Sequence, residues 1–157
     1  MSNVSIREAT PHIGKDMVLE GRMKRFSSAM SRHGAQSALY KVVAGDGAGR
    51  YDLQNWYASL ENSANSFQSY GADVEYQAVR HESAVDPVAN VVGPWLGRML
   101  YGAPKGVKPI VVHRDYHASR SAVAKAMELV PKIYTLMAEI DGEVGIGVPM
   151  VQEDHEM

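Results

Sequence analysis

The segment from Gly14 to Gly34 constrains the fold most, because its sequence predicts an amphipathic helix between two strand-like runs. Its apolar residues recur at helical spacing, at Leu19, Met23, Phe26 and Met30. Charged side chains occupy much of the remaining surface of the helix. A helix with one apolar stripe is stable only when that stripe is buried against another layer. The flanking strands can supply this layer, so the pattern predicts a helix packed on a sheet.

Alternating apolar and polar residues predict a strand on each side of this helix, at Val4–Thr10 and at Gln36–Ala44. A glycine-rich segment, Gly45–Gly49, leads into a third strand at Arg50–Ala58. Phosphate-binding glycine loops present their amides at the start of a helix. Because a strand follows here, we interpret the segment as a hairpin turn.

A second helical region follows, with Ser59 and Asp73 as candidate N-caps and Gly71 as an interruption between two helical pieces. The apolar run Trp95–Tyr101 predicts a fourth strand, and the preceding Pro94 favours an edge position for it. The order of elements is then strand, helix, strand, strand, helix, strand. This βαββαβ order is that of a ferredoxin-like α+β module.

The C-terminal part of the chain repeats the layout of the N-terminal part. The patterns predict a strand at Pro109–His117, a helix at Ser119–Ile140 and a strand at Glu143–Gln152. We therefore divide the chain into a ferredoxin-like module, residues 1–103, and an additional βαβ half-module, residues 104–157. Half a module leaves a sheet edge open, so it is predicted to complete the sheet or an oligomer.

The composition excludes several classes of protein. The chain has no cysteine, which excludes disulfides and thiolate zinc sites. Its net charge of −2 provides no basic excess for nucleic acid or for an anionic membrane. The sequence contains neither a signal-peptide pattern nor an apolar run of about 18 residues. We expect a cytoplasmic protein that binds neither nucleic acid nor membranes.

Three features between Val4 and Tyr101 carry a resemblance. They are the element order, the His33-Gly34 helix stop before the strand Ala38–Gly45, and the aromatic strand Leu53–Tyr57 that leads into a helix. In these features the chain resembles the dimeric α+β barrel superfamily, which includes antibiotic-biosynthesis-type monooxygenases, haem-degrading relatives and many uncharacterised members. The resemblance implies a homodimer with a pocket between the sheet and the helices of each module. Activities in the superfamily range from oxygenation to isomerisation to none known, so the fold does not define the reaction.

One cluster of candidate ligands is formed by His113, Asp115 and His117, which share a face if the segment is a strand. Two imidazoles and a carboxylate can bind a metal ion or provide a base. A straight strand separates alternate residues by roughly 6.6 Å, which is too far for all three to reach one ion. We predict a polar strand face without a metal, in which His113 and Asp115 remain candidates for ligand binding.

A second candidate set comprises Asn55, Trp56 and Tyr57, and Tyr40 is a further candidate for ligand binding. The resemblance implies that an asparagine and a tryptophan can hold a flat substrate or a haem in the pocket. Adjacent residues of a regular strand point to opposite faces, however, so Asn55 and Trp56 cannot both line one pocket. Trp56 is better explained as a packing residue or a subunit contact.

Two functional hypotheses follow from the sequence. The first is a small-molecule-binding protein of dimeric α+β barrel type, including a cofactor-independent monooxygenase-like enzyme that acts on an apolar or aromatic substrate. The alternative is a non-catalytic oligomeric protein, structural or ligand-carrying. Both hypotheses predict self-association, as a dimer, and neither predicts a cofactor.

Overall fold

The computed structural model describes residues 2–102, 106–116 and 119–151. The elements in chain order are β1 (Asn3–Pro11), α1 (Asp16–Arg32), β2 (Gln36–Lys41), β3 (Tyr51–Tyr57), α2 (Leu60–Gly71), α3 (Val74–Val85), β4 (Ala89–Tyr101), α4 (Arg120–Ala138) and β5 (Ile146–Val151). The predicted α+β class is therefore confirmed, with the βαββαβ order at its start.

The five strands form one antiparallel sheet in the order β2-β3-β1-β4-β5. Because side chains alternate along a strand, the sheet has two distinct faces. Ala9, Tyr51 and Leu53 point to the same face and pack in one core with Leu19 and Met23 of α1. We call this the helix-side face and the opposite one the far face.

The apolar stripe predicted for α1 is the helical half of this core. Leu19, Met23 and Met30 are buried, and the partly buried Phe26 packs against them. The helix ends at Arg32, just before Gly34 adopts a positive φ of 92°. The sequence therefore predicted both the face that α1 buries and the glycine that follows its end.

Two local capping signals also form as predicted. The Ser59 Oγ accepts a hydrogen bond of 3.0 Å from the backbone N–H of Asn62 at the start of α2. The Asp73 carboxylate accepts the backbone N–H groups of Glu75 and Tyr76 at the start of α3. The helical region is thus in two pieces, because α2 ends at Gly71 and α3 has its own cap.

Ion pairs hold α3 against α1. The Arg25 guanidinium donates to Glu75 and to Glu82, with 2.7 Å between its Nη1 and Glu82 Oε2. At the start of α3, the His33 Nε2 lies 2.9 Å from Asp73 Oδ2. The hydrogen bond from His33, the backbone N–H of Tyr76 and Arg32 hold the pKa of Asp73 well below its usual range. These contacts fix the separation of two helices that form the wall of a cavity described below.

The prediction that the fourth strand lies at an edge is wrong. The strand β4 pairs with β1 on one side and with β5 on the other, and it begins at Ala89, six residues before the predicted start. Its pairing with β1 shifts register between Ile6 and Glu8, opposite Gly93 and Pro94. A bulge tolerates the missing N–H of proline inside a sheet. The outer strands are instead β2 and β5.

The strand predicted at Pro109–His117 is also wrong over its described part, because residues 109–116 have no regular secondary structure. His117 lies outside the described residues. The strand β5, and not this segment, pairs with β4 at Leu96–Tyr101. The added half-module therefore contributes α4 and β5 to the structure. The division of the chain at residues 103 and 104 stays a prediction.

The helix α4 packs much less tightly than the other helices. Its Val130 is buried and its Tyr134 ring lies 5.9 Å from that of Tyr101, measured between centroids. Besides Tyr134, four large aliphatic side chains on or just after α4 are exposed, namely Leu129 (50%), Ile133 (44%), Leu136 (63%) and Ile140 (72%). Within the described part of the chain, no helix has the length and apolar content needed to cross a membrane.

Candidate functional site

A cavity of about 330 Å³ lies between the sheet and the helices α1 and α3. Its lining residues come from β1, α1, α3 and β4: Arg7, Phe26, Met30, Tyr76, Arg80, Ser83, Ala84 and Val91. A smaller cavity of about 130 Å³ shares Phe26, Ser83 and Val91 with it. The larger volume falls at the lower end of the range of small-molecule pockets, roughly 300 to 1,000 Å³.

Aromatic and sulfur-containing side chains form much of the cavity wall. The rings of Phe26 and Tyr76 meet edge to face, with 5.1 Å between their centroids and 64° between their planes. Met30 is buried beside them, and its flexible thioether adapts to irregular shapes. A wall of this kind favours contact with a flat apolar or aromatic molecule.

The half-buried Arg7 of β1 provides the main polar group of the cavity. Its Nη2 donates to the Tyr70 hydroxyl over 3.2 Å, and its Nη1 lies 3.8 Å from Met30 Sδ. At the exposed side of the cavity, α3 contributes a second guanidinium, that of Arg80. Neither arginine lies within ion-pair distance of a carboxylate among the described residues.

A row of aromatic rings connects this cavity with the interior beneath α2. The Tyr76 ring lies 4.8 Å from that of Tyr70, which in turn lies 5.4 Å from Phe67. The next ring is that of Tyr57, 6.0 Å from Phe67. Burial raises the pKa of both Tyr57 and Tyr70, while the nearby positive charge of Arg7 opposes the shift. Both phenols therefore remain neutral hydrogen-bonding groups at neutral pH.

At the far end of this row lies a group of buried polar side chains, which we call the buried polar group: Ser5, Asn55, Tyr57 and Ser66. Ser5 and Asn55 are direct partners across β1 and β3, and each is fully buried. Neither amide atom of Asn55 has a hydrogen-bond partner among the described residues. The Ser66 hydroxyl is close enough to Tyr57 to lower the pKa of the Tyr57 phenol. The geometry of the two hydroxyl groups is nevertheless not that of a hydrogen bond. A buried polar group without any partner costs roughly 1 to 3 kcal/mol, so such groups are normally paired with protein or with ordered water.

The structure separates the residues that the sequence analysis selected around β3. Asn55 is opposite Ser5 on the helix-side face, whereas Trp56 is opposite Val4 on the far face. The predicted separation of Asn55 and Trp56 is therefore confirmed. Tyr40, which is opposite Asp52, shares the far face with Trp56. Asn55 lies on the same face as the cavity, as does Tyr57, two residues further along β3.

The other predicted candidates, His113 and Asp115, lie near the far face. The His113 Nε2 is 3.2 Å from Asp115 Oδ1, and both charges influence the pKa of Glu8. Burial raises the pKa of Glu8, and the opposing effect comes first from Arg50, whose Nη2 lies 3.0 Å from Glu8 Oε1. Within the described ranges, no group of three or more histidine or acidic side chains is arranged to hold a metal ion.

The sequence analysis missed the residues that line the cavity. Phe26 and Met30 belong to the apolar stripe predicted for α1, and Arg7 is not among the predicted candidates. One signal was available, because Arg7 stands between Ser5 and Ala9 on the face that β1 buries. A charged residue between two small ones on a buried face indicates either an internal ion pair or a ligand.

The structure has a ferredoxin-like α+β fold. The chain is similar in structure to a NIPSNAP family protein from Agrobacterium tumefaciens, with a TM-score of 0.50 and 14% identity over 68% of this chain and 97% of that one. At this level of identity the likeness shows the fold alone.

Two further solved structures are similar at lower scores. One is Rv0793 from Mycobacterium tuberculosis, with a TM-score of 0.43 and 16% identity over 60% of this chain and 95% of that chain. The other is a Nitrosomonas europaea protein provisionally named an antibiotic biosynthesis monooxygenase, with a TM-score of 0.42 and 14% identity over 58% and 86% of the two chains. No family model matches the sequence, and no curated protein matches it either.

Proposed function

We propose that this protein binds a small apolar or aromatic molecule in the cavity between its sheet and the helices α1 and α3. The observation that carries the proposal is a cavity of about 330 Å³ that combines an aromatic wall with the half-buried Arg7. Apolar walls supply most of the contact area in ligand pockets, and a few polar groups fix the orientation of the ligand.

Binding is better supported than catalysis by the residues that line the cavity. Proton transfer in enzymes is carried out most often by a histidine or a carboxylate, and less often by a lysine or a tyrosine. The lining residues include two arginines, a tyrosine and a serine, but no carboxylate or imidazole. We therefore propose a ligand carrier or ligand sensor, with the monooxygenase-like enzyme as the alternative.

The binding proposal is tested with a neutral aromatic probe. trans-Cinnamamide, titrated while its own NMR signals are observed, is expected to show saturable binding to one site per chain. A probe of this size should have a dissociation constant on the order of 1 mM or lower. A linear, non-saturating response up to the solubility limit of the probe would contradict the proposal.

We also propose that a second copy of the chain covers the exposed apolar stripe of α4. Leu129, Ile133 and Leu136 are spaced by four and three residues, so they lie along one side of α4, and the exposed Ile140 follows its last turn. Because these side chains carry no charge, the stripe of one chain can pack against the same stripe of a second chain about a twofold axis. Val107, Ile110 and Val112 add further exposed apolar surface in the same part of the chain.

A further inference from the structure

We infer that the ligand of the cavity carries an acidic group, a carboxylate or a similar oxyanion, which is bound by Arg7 with Arg80 at the entrance. This inference rests on the proposed function, because it specifies the chemical class of the molecule that the same cavity holds. The aromatic wall would contact the apolar part of the ligand. The two guanidiniums would bind its anionic end.

The charge of Arg7 is not balanced by any described carboxylate. Its two hydrogen-bond partners, the Tyr70 hydroxyl and the Met30 thioether, are both neutral. Removing a charge from water without a counter-charge is costly. Four other arginines of the chain have carboxylate partners at 3.3 Å or less, namely Arg22, Arg25, Arg32 and Arg50. Arg7 differs from them in that it lines the larger cavity and has no carboxylate partner among the described residues.

The geometry of Arg7 leaves room for an anion. A guanidinium has five N–H donors in a fixed plane, and the contacts to Tyr70 and Met30 engage one donor each on Nη2 and Nη1. The remaining donors can bind the two oxygens of a carboxylate side by side, which is the strongest arrangement available to an arginine.

Charge also selects against other ligand classes. The nearest acidic residues of α3, Glu75 and Glu82, are bound to Arg25 and do not line the cavity. The cavity therefore has a positive potential with no lining acid to offset it, which disfavours a cationic ligand. A neutral ligand would leave Arg7 half-buried and unpaired.

The test compares two probes of the same shape, trans-cinnamate and trans-cinnamamide, at pH 7 and low salt. The wild-type protein is expected to bind the carboxylate about tenfold to a hundredfold more tightly than the amide. Arg7→Gln should remove this preference while retaining binding of the amide, and Arg7→Lys should restore part of it. Arg98→Gln is the matched control, because Arg98 is an exposed arginine of the same sheet that does not line the cavity.

A second measurement needs no variant. Raising the sodium chloride concentration from 20 to 500 mM should weaken binding of the carboxylate and leave binding of the amide unchanged. Equal affinities for the two probes, or a preference that persists in Arg7→Gln, would overturn the acidic ligand and leave the binding proposal intact. Absence of binding by both probes would overturn the proposed function together with this inference.

Discussion

Ser83→Trp is expected to abolish binding of trans-cinnamamide, with a loss of affinity of about a hundredfold or more. Ser83 is half-buried on α3 and lines both the larger and the smaller cavity. An indole at this position would fill the space that the probe needs. Because the surrounding volume is already empty, the ring can be accommodated without displacing the core formed by Leu19, Met23 and Leu53.

The matched control for this substitution is His81→Trp. His81 lies two residues away on the same helix, is exposed and does not line either cavity. This variant introduces the same side chain and should bind the probe like the wild-type protein. Circular dichroism and thermal unfolding of both variants will establish that the fold is retained. Wild-type affinity in a folded Ser83→Trp protein would show that the probe binds elsewhere.

The double variant Ile133→Glu/Leu136→Glu is expected to convert a dimer into a monomer. Both side chains belong to the exposed apolar stripe of α4, and two carboxylates from each copy would meet if the stripes pack together. Burying charges without partners, next to like charges, weakens association by several kcal/mol in typical interfaces, about a hundredfold or more in affinity. Light scattering coupled to size exclusion gives the mass directly, and the wild-type protein should show twice the chain mass of 17.2 kDa.

The control for the α4 variant is Ile13→Glu/Val43→Glu, which adds the same charge at two exposed apolar positions of the N-terminal part. It should remain dimeric. A wild-type protein of single-chain mass, or an Ile133→Glu/Leu136→Glu variant that keeps the double mass, would contradict the proposed role of the stripe.

The sequence predicts those parts of the fold that depend on local pattern. The apolar residues of α1 repeat with the period of a helix. Burial of these residues is the largest stabilising contribution available to the helix. Ser59 and Asp73 act within three residues of their own positions, so their capping roles are visible without the rest of the chain. The opposite orientations of Asn55 and Trp56 follow from the two-residue period of a strand.

The pairing of the C-terminal segments could not be predicted in this way. Residues 109–116 begin with the apolar run Ile110–Val112, the strand Ile146–Val151 is apolar, and either pattern is compatible with a strand. Which of them pairs with β4 depends on competition for a single sheet edge. The position of β4 in the sheet could not be predicted from local pattern either. Pro94 favours an edge position, but a register shift between β4 and β1 accommodates this proline inside the sheet.

The cavity could not be predicted from local pattern either. It forms where four elements meet, and residues as distant in sequence as Arg7 and Val91 line it together. Periodicity identifies Phe26 and Met30 as buried, but it cannot distinguish a side chain that fills a core from one that borders an empty space. The role of Arg7 depends on which carboxylates come near it, and this is a property of the tertiary structure.

The most direct test of the binding proposal is to locate the bound probe. Backbone amide NMR spectra of ¹⁵N-labelled protein, recorded during a titration with trans-cinnamamide, report on each residue separately. The proposal predicts saturable shifts concentrated at Arg7, Phe26, Tyr76 and Ser83, which surround the cavity. Shifts confined to α4, or no shifts at saturating probe, would contradict the proposal that this cavity is a ligand-binding site.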